Sequence, residues 1–322
     1  HSTELRYCAG RSPCAYAACM KLRPAIFFVF TTLFLFQHPI CAETTPVWPG
    51  LAPGETTKKT GDTLPQRPED NPPISRVENI TAPTLAIFPA QKGKATGVGV
   101  LILPGGGFAK VVPDMEGSEA AAWLNRLGIS AFVLNYRTTT GVDASAEAAA
   151  KAQPWLRPLQ DSQRAIRHLR SHASDYGLDP GKIGLLGFSA GGQVAAIHLT
   201  QEKASYDSID KIDEADFRPD FSLLIYPWNV ADTKTGQLLP QIAPSEKMPP
   251  GFIVHTDDDK SSSLGSALIY LGMKKHGVSG ELHVYQNGGH GYGTRDRPAS
   301  VIGSWTDRAT EWLRLRGLAA GE

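Results

Sequence analysis

The chain has 322 residues, 41% of them hydrophobic and 20% charged. Its 32 Lys and Arg are balanced by 32 Asp and Glu, so composition offers no electrostatic case for nucleic acid or an anionic membrane surface as partner. No internal repeat stands out, and only Ala144-Ser-Ala-Glu-Ala-Ala-Ala150 is biased in composition.

Met20-Lys-Leu-Arg23 is a basic start, and Ala25 to Phe36 is an apolar run too short to span a bilayer comfortably. The segment from Gln37 ends on the small residue Ala42. This pattern predicts a leader over 1–42 whose residues 20–42 are a secretory signal peptide, cleaved after Ala42, with residues 1–19 upstream of an alternative initiator at Met20. An N-terminal membrane anchor is the competing reading. Cleavage would leave a secreted or periplasmic protein with no stable membrane association. Cys8, Cys14, Cys19 and Cys41 all lie in the leader. The exported form would therefore lack thiol catalysis and Cys-based zinc sites, and its core is large enough to need no disulfide.

Residues 43–76 are rich in Pro, Gly, Thr and charge around Trp48-Pro-Gly. They read as an extended arm on a single domain spanning 43–322. From about Val77, predicted strands at 84–88, 98–103, 130–135, 182–187, 220–226, 251–256 and 281–285 alternate with helical segments. The best-marked helix covers 158–176, opened by Pro158 and closed by Gly177, and a last one starts near Ser304. This alternation predicts an α/β fold with a mostly parallel central sheet and helices on both faces.

Three of these strands open into chemistry. Val98-Gly-Val-Leu-Ile-Leu-Pro-Gly-Gly-Gly-Phe108 ends in three glycines. Glycines let backbone N–H groups face a developing oxyanion, so Gly106 and Gly107 are candidate donors. Neither G-x-G-x-x-G spacing nor a P-loop lysine supports a phosphate turn there. Lys182-Ile-Gly-Leu-Leu-Gly-Phe-Ser-Ala-Gly-Gly192 runs from an apolar strand into G-x-S-x-G. A serine at such a strand-to-helix elbow is pushed out of the fold as a nucleophile, and the N–H of the next residue, Ala190, is a third oxyanion donor. Gly251-Phe-Ile-Val-His-Thr-Asp-Asp-Asp-Lys260 is a strand ending in three aspartates, and Asn287-Gly-Gly-His-Gly-Tyr-Gly293 presents His290. Ser189, an aspartate from 257–259 and His290 thus follow the order nucleophile, acid, base, with imidazole suited to move protons near neutrality.

Other residues carry weaker signals. Arg137 is expected to pair structurally with Asp161. His168 and His172 lie one helical turn apart, but no Glu-based zinc motif joins them. His198, His255 and His283 read as core or supporting groups, so no metal or cofactor is expected. Insertions at 138–157, 201–218 and 228–249 are candidates for building a pocket. Trp155 and Trp228 are candidate stacking platforms, and Tyr292, Trp228 and Phe108 are candidate substrate contacts.

PGGGF at 104–108, LNYR at 134–137, PLQDSQRAIRHLR at 158–170, GFSAGG at 187–192, LIYP at 224–227 and GGHGYG at 288–293 resemble the α/β-hydrolase superfamily. Within it the chain is similar to the acetyl-esterase/lipase branch, and there to bacterial acetyl-xylan and feruloyl esterases, from about Val77 to Leu315. The resemblance implies an α/β-hydrolase fold without a large cap domain. It favours Asp259 as the acid, because Asp259 follows His255 by four residues as in the H-x-x-x-D turn of many relatives; Asp258 is the second choice. Two departures stand out. Pro104 replaces the histidine of the H-G-G-G found in many relatives, and Phe188 stands where hormone-sensitive-lipase relatives often carry Asp. The implied activity is a serine esterase acting on short acyl esters of a small alcohol or an acylated polysaccharide such as xylan. A serine peptidase or lipase of the same fold, and a carbohydrate-binding pseudo-hydrolase, are the competing readings.

Overall fold

The computed structural model describes residues 43–321. The expected leader over 1–42, with its predicted signal peptide and the four cysteines, lies outside the described residues. The strands are β1 (Glu43–Pro46), β2 (Thr60–Thr63), β3 (Val77–Ile80), β4 (Thr84–Phe88), β5 (Gly99–Leu103), β6 (Ser130–Asn135), β7 (Ile183–Phe188), β8 (Phe221–Ile225), β9 (Ala231–Asp232), β10 (Gln237–Leu238), β11 (Gly251–Thr256) and β12 (Gly280–Tyr285). The helices are α1 (Glu119–Arg126), α2 (Ala144–Ala152), α3 (Leu156–Ser171), α4 (Ser189–His198), α5 (Leu264–Lys275) and α6 (Trp305–Leu315).

Eight strands form the central sheet in the order β1-β4-β6-β5-β7-β8-β11-β12. From β6 to β12 neighbours run parallel, and β4 and β1 join antiparallel at one edge. β5 and β7 are buried at every position, as strands covered on both faces require. Their side chains alternate between two layers. Val100, Ile102 and Leu186 pack with Trp123, Leu124, Trp305 and Trp312 of α1 and α6. Leu101, Leu103 and Leu185 pack with Ile166, Val194, Ile197, Ile269 and Met273 of α3, α4 and α5. The mostly parallel sheet with helices on both faces, expected from the sequence, is the observed fold.

The amino-terminal arm is more than a covering strap. β1 is an edge strand of the main sheet, and β2 pairs with β3 in a small second sheet. Trp48 is 3% exposed, and its indole N–H donates to Asp161 Oδ1 at 2.8 Å. Arg137 donates to the same carboxylate through Nε at 2.9 Å and to Pro53 O at 2.7 Å. The Arg137–Asp161 pair is therefore a buried anchor for the arm. The helix predicted over 158–176 starts two residues earlier and ends at Ser171. Pro158 fits in its first turn because a missing N–H is harmless there.

The strand order places the site. After β5 the chain crosses to β6 on one side, and later returns to β7 on the other. The carboxyl ends of β5 and β7 therefore flank a crevice at a topological switch point, where open α/β sheets bind ligands.

Candidate active site

Ser189 follows β7 directly and begins α4, with φ of 51°. A non-glycine residue in this left-handed region costs about 1–3 kcal/mol, so its surroundings must hold it there. They do so by close packing: a Cβ at Gly187 would stand 2.6 Å from Gly191 O, and one at Gly191 would stand 2.2 Å from Leu103 O.

Ser189 Oγ lies 2.7 Å from His290 Nε2, and His290 Nδ1 lies 2.6 Å from Asp259 Oδ2. The Asp259 side chain is 1% exposed and that of His290 is 32% exposed, so the acid is sealed and the imidazole faces the opening. Burial alone would raise the Asp259 pKa. Hydrogen bonding to His255 and His290 and from the Ser261 N–H outweighs it and holds the carboxyl well below the usual carboxylate range. His255 Nε2 sits 3.1 Å from Asp259 Oδ2, and its Nδ1 sits 2.8 Å from Ser266 Oγ. Among the three aspartates, Asp259 occupies the position beside the imidazole. Asp258 accepts the N–H groups of Gly288 and Gly289 at 3.2 and 2.9 Å and tethers the loop that carries His290. Asp257 is exposed.

The three-glycine loop lies against the elbow, since a Cβ at Gly105 would be 2.7 Å from Ser189 Cβ. Gly107 is exposed and Gly106 half-buried. Their N–H groups meet no acceptor among the described residues. Ala190 is in the first turn of α4, where N–H groups lack intrahelical acceptors. Gly105 and Ala190 therefore adjoin Ser189, and Gly106 and Gly107 follow Gly105 in the loop.

Two supports were not visible in the sequence. Tyr136 OH donates to Pro104 O at 2.7 Å, and Glu116, 3% exposed, accepts the Gly105 N–H at 2.7 Å. Together they hold the loop at the position where Pro104 replaces a histidine. The only advance hint for Tyr136 was its place in LNYR, at the end of a strand; nothing marked Glu116.

A cleft of about 420 Å³ is lined by Trp228, Asp258, Asp259, Lys260, Ser261, Gly289 and His290. Trp228 is 38% exposed and is a wall of this cleft. Phe108 is buried, with its ring 6.2 Å from that of Trp228, so it backs the wall rather than forming it. Tyr292 is a correction. It is fully buried and packs edge-on against Tyr226 at 4.3 Å in the α1/α6 layer, so it cannot contact substrate. Two residues after His290, the chain has already turned its side chain into the core. Trp155 packs against the α3 layer, away from the cleft lining. His198 is a core histidine between Ser162 Oγ and Phe217 O, both at 2.8 Å. Among the described residues no group of three or more His, Cys, Asp or Glu is placed to hold a metal.

Comparison with known proteins points to the same fold. The BD-FAE family model matches residues 85–223, which include the glycine loop and the elbow. An acetylxylan esterase of Xylanibacter ruminicola is 27% identical over 240 residues, covering 65% of this chain and 45% of that protein. Endo-1,4-beta-xylanase B of Butyrivibrio fibrisolvens is 27% identical over 214 residues, covering 60% of this chain and 32% of that protein. The chain thus spans less than half the length of these curated relatives. Among solved structures, an acetyl ester-xyloside bifunctional hydrolase from Caldicellulosiruptor lactoaceticus superposes with a TM-score of 0.64 at 27% identity, covering 86% of this chain and 97% of that one. The Thermogutta terrifontis esterase Est2, at 19% identity and a TM-score of 0.61 over 81% of this chain and 96% of its own, shares the fold. The chain has the α/β-hydrolase fold and is similar to an acetylxylan esterase and to an acetyl ester-xyloside hydrolase of that fold.

Proposed function

We propose that the protein is a serine esterase that removes short acyl groups, acetyl foremost, from an acylated plant polysaccharide such as xylan. One observation carries the reading: the continuous hydrogen-bonded chain from Ser189 Oγ through His290 to Asp259 at the sheet's switch point. In this cycle Asp259 accepts the Nδ1–H of His290 and leaves Nε2 free to take the Ser189 proton. Ser189 Oγ attacks the ester carbonyl, and the N–H groups of Gly106, Gly107 and Ala190 receive the negative charge on its oxygen. The imidazolium then protonates the leaving alcohol, and a water molecule releases the acid by the same route.

The substrate class is supported by the cleft and by the relatives. An exposed indole with Asp258, Lys260 and Ser261 around it suits a sugar, which presents an apolar ring face and hydroxyl edges. Two similar proteins carry names that point to xylan or acetylated xylosides. The basic-then-apolar leader supports export, which would place the enzyme with such a polymer.

The test is a series of p-nitrophenyl esters from acetyl to decanoyl, with acetylated xylan and methyl ferulate alongside. We expect kcat/KM to peak at acetyl or propionyl and acetate to be released from xylan. A steady rise through octanoyl would make the protein a lipase instead, since each well-fitted methylene is worth about 1–3 kcal/mol.

A further inference from the structure

The three-glycine loop is the least self-supporting part of the site. Glycine has the greatest backbone freedom of any residue, yet a misplacement of about 1 Å in such a site can cost on the order of 100-fold in rate. The loop is pinned from outside. The Gly105 N–H donates to Glu116 Oε2 at 2.7 Å, and Gly105 O accepts from the Val112 N–H at 3.1 Å.

The other oxygen of Glu116 reaches across the site. Tyr226 OH donates to Glu116 Oε1 at 2.8 Å, and the Gly293 N–H donates to the same Tyr226 oxygen at 2.8 Å. Gly293 closes the loop that presents His290, and the Tyr226 ring stands edge-on to the imidazole at 5.0 Å. One carboxylate therefore spans from the loop that would hold the oxyanion to the loop that holds the base.

Gly105 donates to one Glu116 oxygen, and Tyr226, whose own oxygen accepts the Gly293 N–H, donates to the other, so both carboxyl oxygens are used as acceptors. Burial outweighs the bonds from Tyr226 and Gly105 and the nearby His290, and the Glu116 carboxyl is raised. A buried acid is a poor way to gain stability, because its desolvation offsets what its partners return. The backbone is also built to place it: Ser118 N bonds to Pro113 O and Glu119 N to Asp114 O, a widened π-type turn that directs Met115, Glu116 and Gly117 inward. Such turns occur often at functional sites.

We infer that Glu116, acting through Tyr226, is a positioning residue that keeps the oxyanion loop and the His290 loop in register. This inference rests on the esterase reading above. It is tested with Tyr226→Phe, which keeps the ring against His290 and deletes only the hydroxyl, and with Glu116→Gln, which replaces one acceptor by a donor. Both are assayed with p-nitrophenyl acetate, with Tm measured in parallel; if Glu116→Gln does not fold, Tyr226→Phe decides.

The expected result is a fall in kcat of roughly 10- to 100-fold for each, with KM changed by less than about threefold. The double variant should be no worse than about the weaker single, because both cut one bridge. The inference is overturned if kcat stays within about twofold of the parent, if KM carries the loss, or if the two effects multiply. The parent is the control. If it neither turns over esters nor takes a fluorophosphonate label at Ser189, the esterase reading fails; if it does both and the variants match it, only the bridge fails.

Discussion

Replacing Asp259 by Asn changes one atom in a side chain that is 1% exposed. Asp259 Oδ1 accepts the Ser261 N–H at 2.8 Å, so the carboxamide oxygen is drawn to that side. The new NH2 then occupies the Oδ2 position, 2.6 Å from His290 Nδ1 and 3.1 Å from His255 Nε2. His290 must offer Nδ1 as an acceptor and carry its proton on Nε2, the atom 2.7 Å from Ser189 Oγ. In that tautomer it cannot take the serine proton, and the charge that would support the imidazolium is gone. The expected loss is on the order of 10²–10⁴ in kcat, or about 2.7–5.5 kcal/mol of transition-state stabilisation. KM should change little. Asp258→Asn is the internal comparison. Asp258 is exposed, lies off the proton path and accepts two loop N–H groups. An asparagine oxygen can still accept one of them, so the loss should be less than about tenfold. Initial rates on p-nitrophenyl acetate separate the two. Turnover of Asp259→Asn within about tenfold of the parent, or a reversed ranking, would refute this assignment of the acid.

Gly106→Ala should lower kcat by on the order of 10²–10³, because the new Cβ would sit 2.2 Å from Lys110 O at a φ of 132° and force the loop to move; unchanged turnover in a folded variant removes Gly106 from the oxyanion site. Asp161→Ala strips the carboxylate from fully buried Arg137 and from Trp48, and should cost about 3–5 kcal/mol in urea denaturation; a cost below about 1 kcal/mol would show that the arm is anchored elsewhere. Burial lowers the His198 pKa from 6.5 to about 4. The unfolded chain therefore binds a proton between those values that the folded protein refuses. Stability contributed by this group is intact above pH 6.5 and declines by about 1.4 kcal/mol per pH unit down to its folded value. His198→Gln should make Tm less steep in that window, and an unchanged slope would place the acid sensitivity in other groups.

The parts legible in the sequence were those in which local pattern and tertiary role coincide. Apolar runs such as GVLIL and IGLLGF are strands because they are buried on both faces, and the elbow declares itself through its small residues. Asp259 was separable from Asp258 only by its offset from His255, and the structure supplies the cause: His255 Nε2 lies beside the Asp259 carboxylate. What was missed depends on distant partners. Glu43–Pro46 has no strand-like alternation and is extended because its backbone pairs with β4. Glu116 looks like a solvated loop acid until Gly105 and Tyr226, 11 and 110 residues away, are seen on its two oxygens. Tyr292 lies two residues from His290 in the chain, but its side chain turns into the core after Gly291, a direction that position in the sequence does not encode.

The central claim is that Ser189 is the nucleophile. The most direct test is to treat the parent and Ser189→Ala with a fluorophosphonate, map the label by peptide mass spectrometry and measure kcat on p-nitrophenyl acetate. The parent should be labelled at Ser189 with loss of activity, and the variant should take no label and lose on the order of 10⁴–10⁶ in kcat. Turnover of Ser189→Ala within about tenfold of the parent, or a label on another residue, would contradict it.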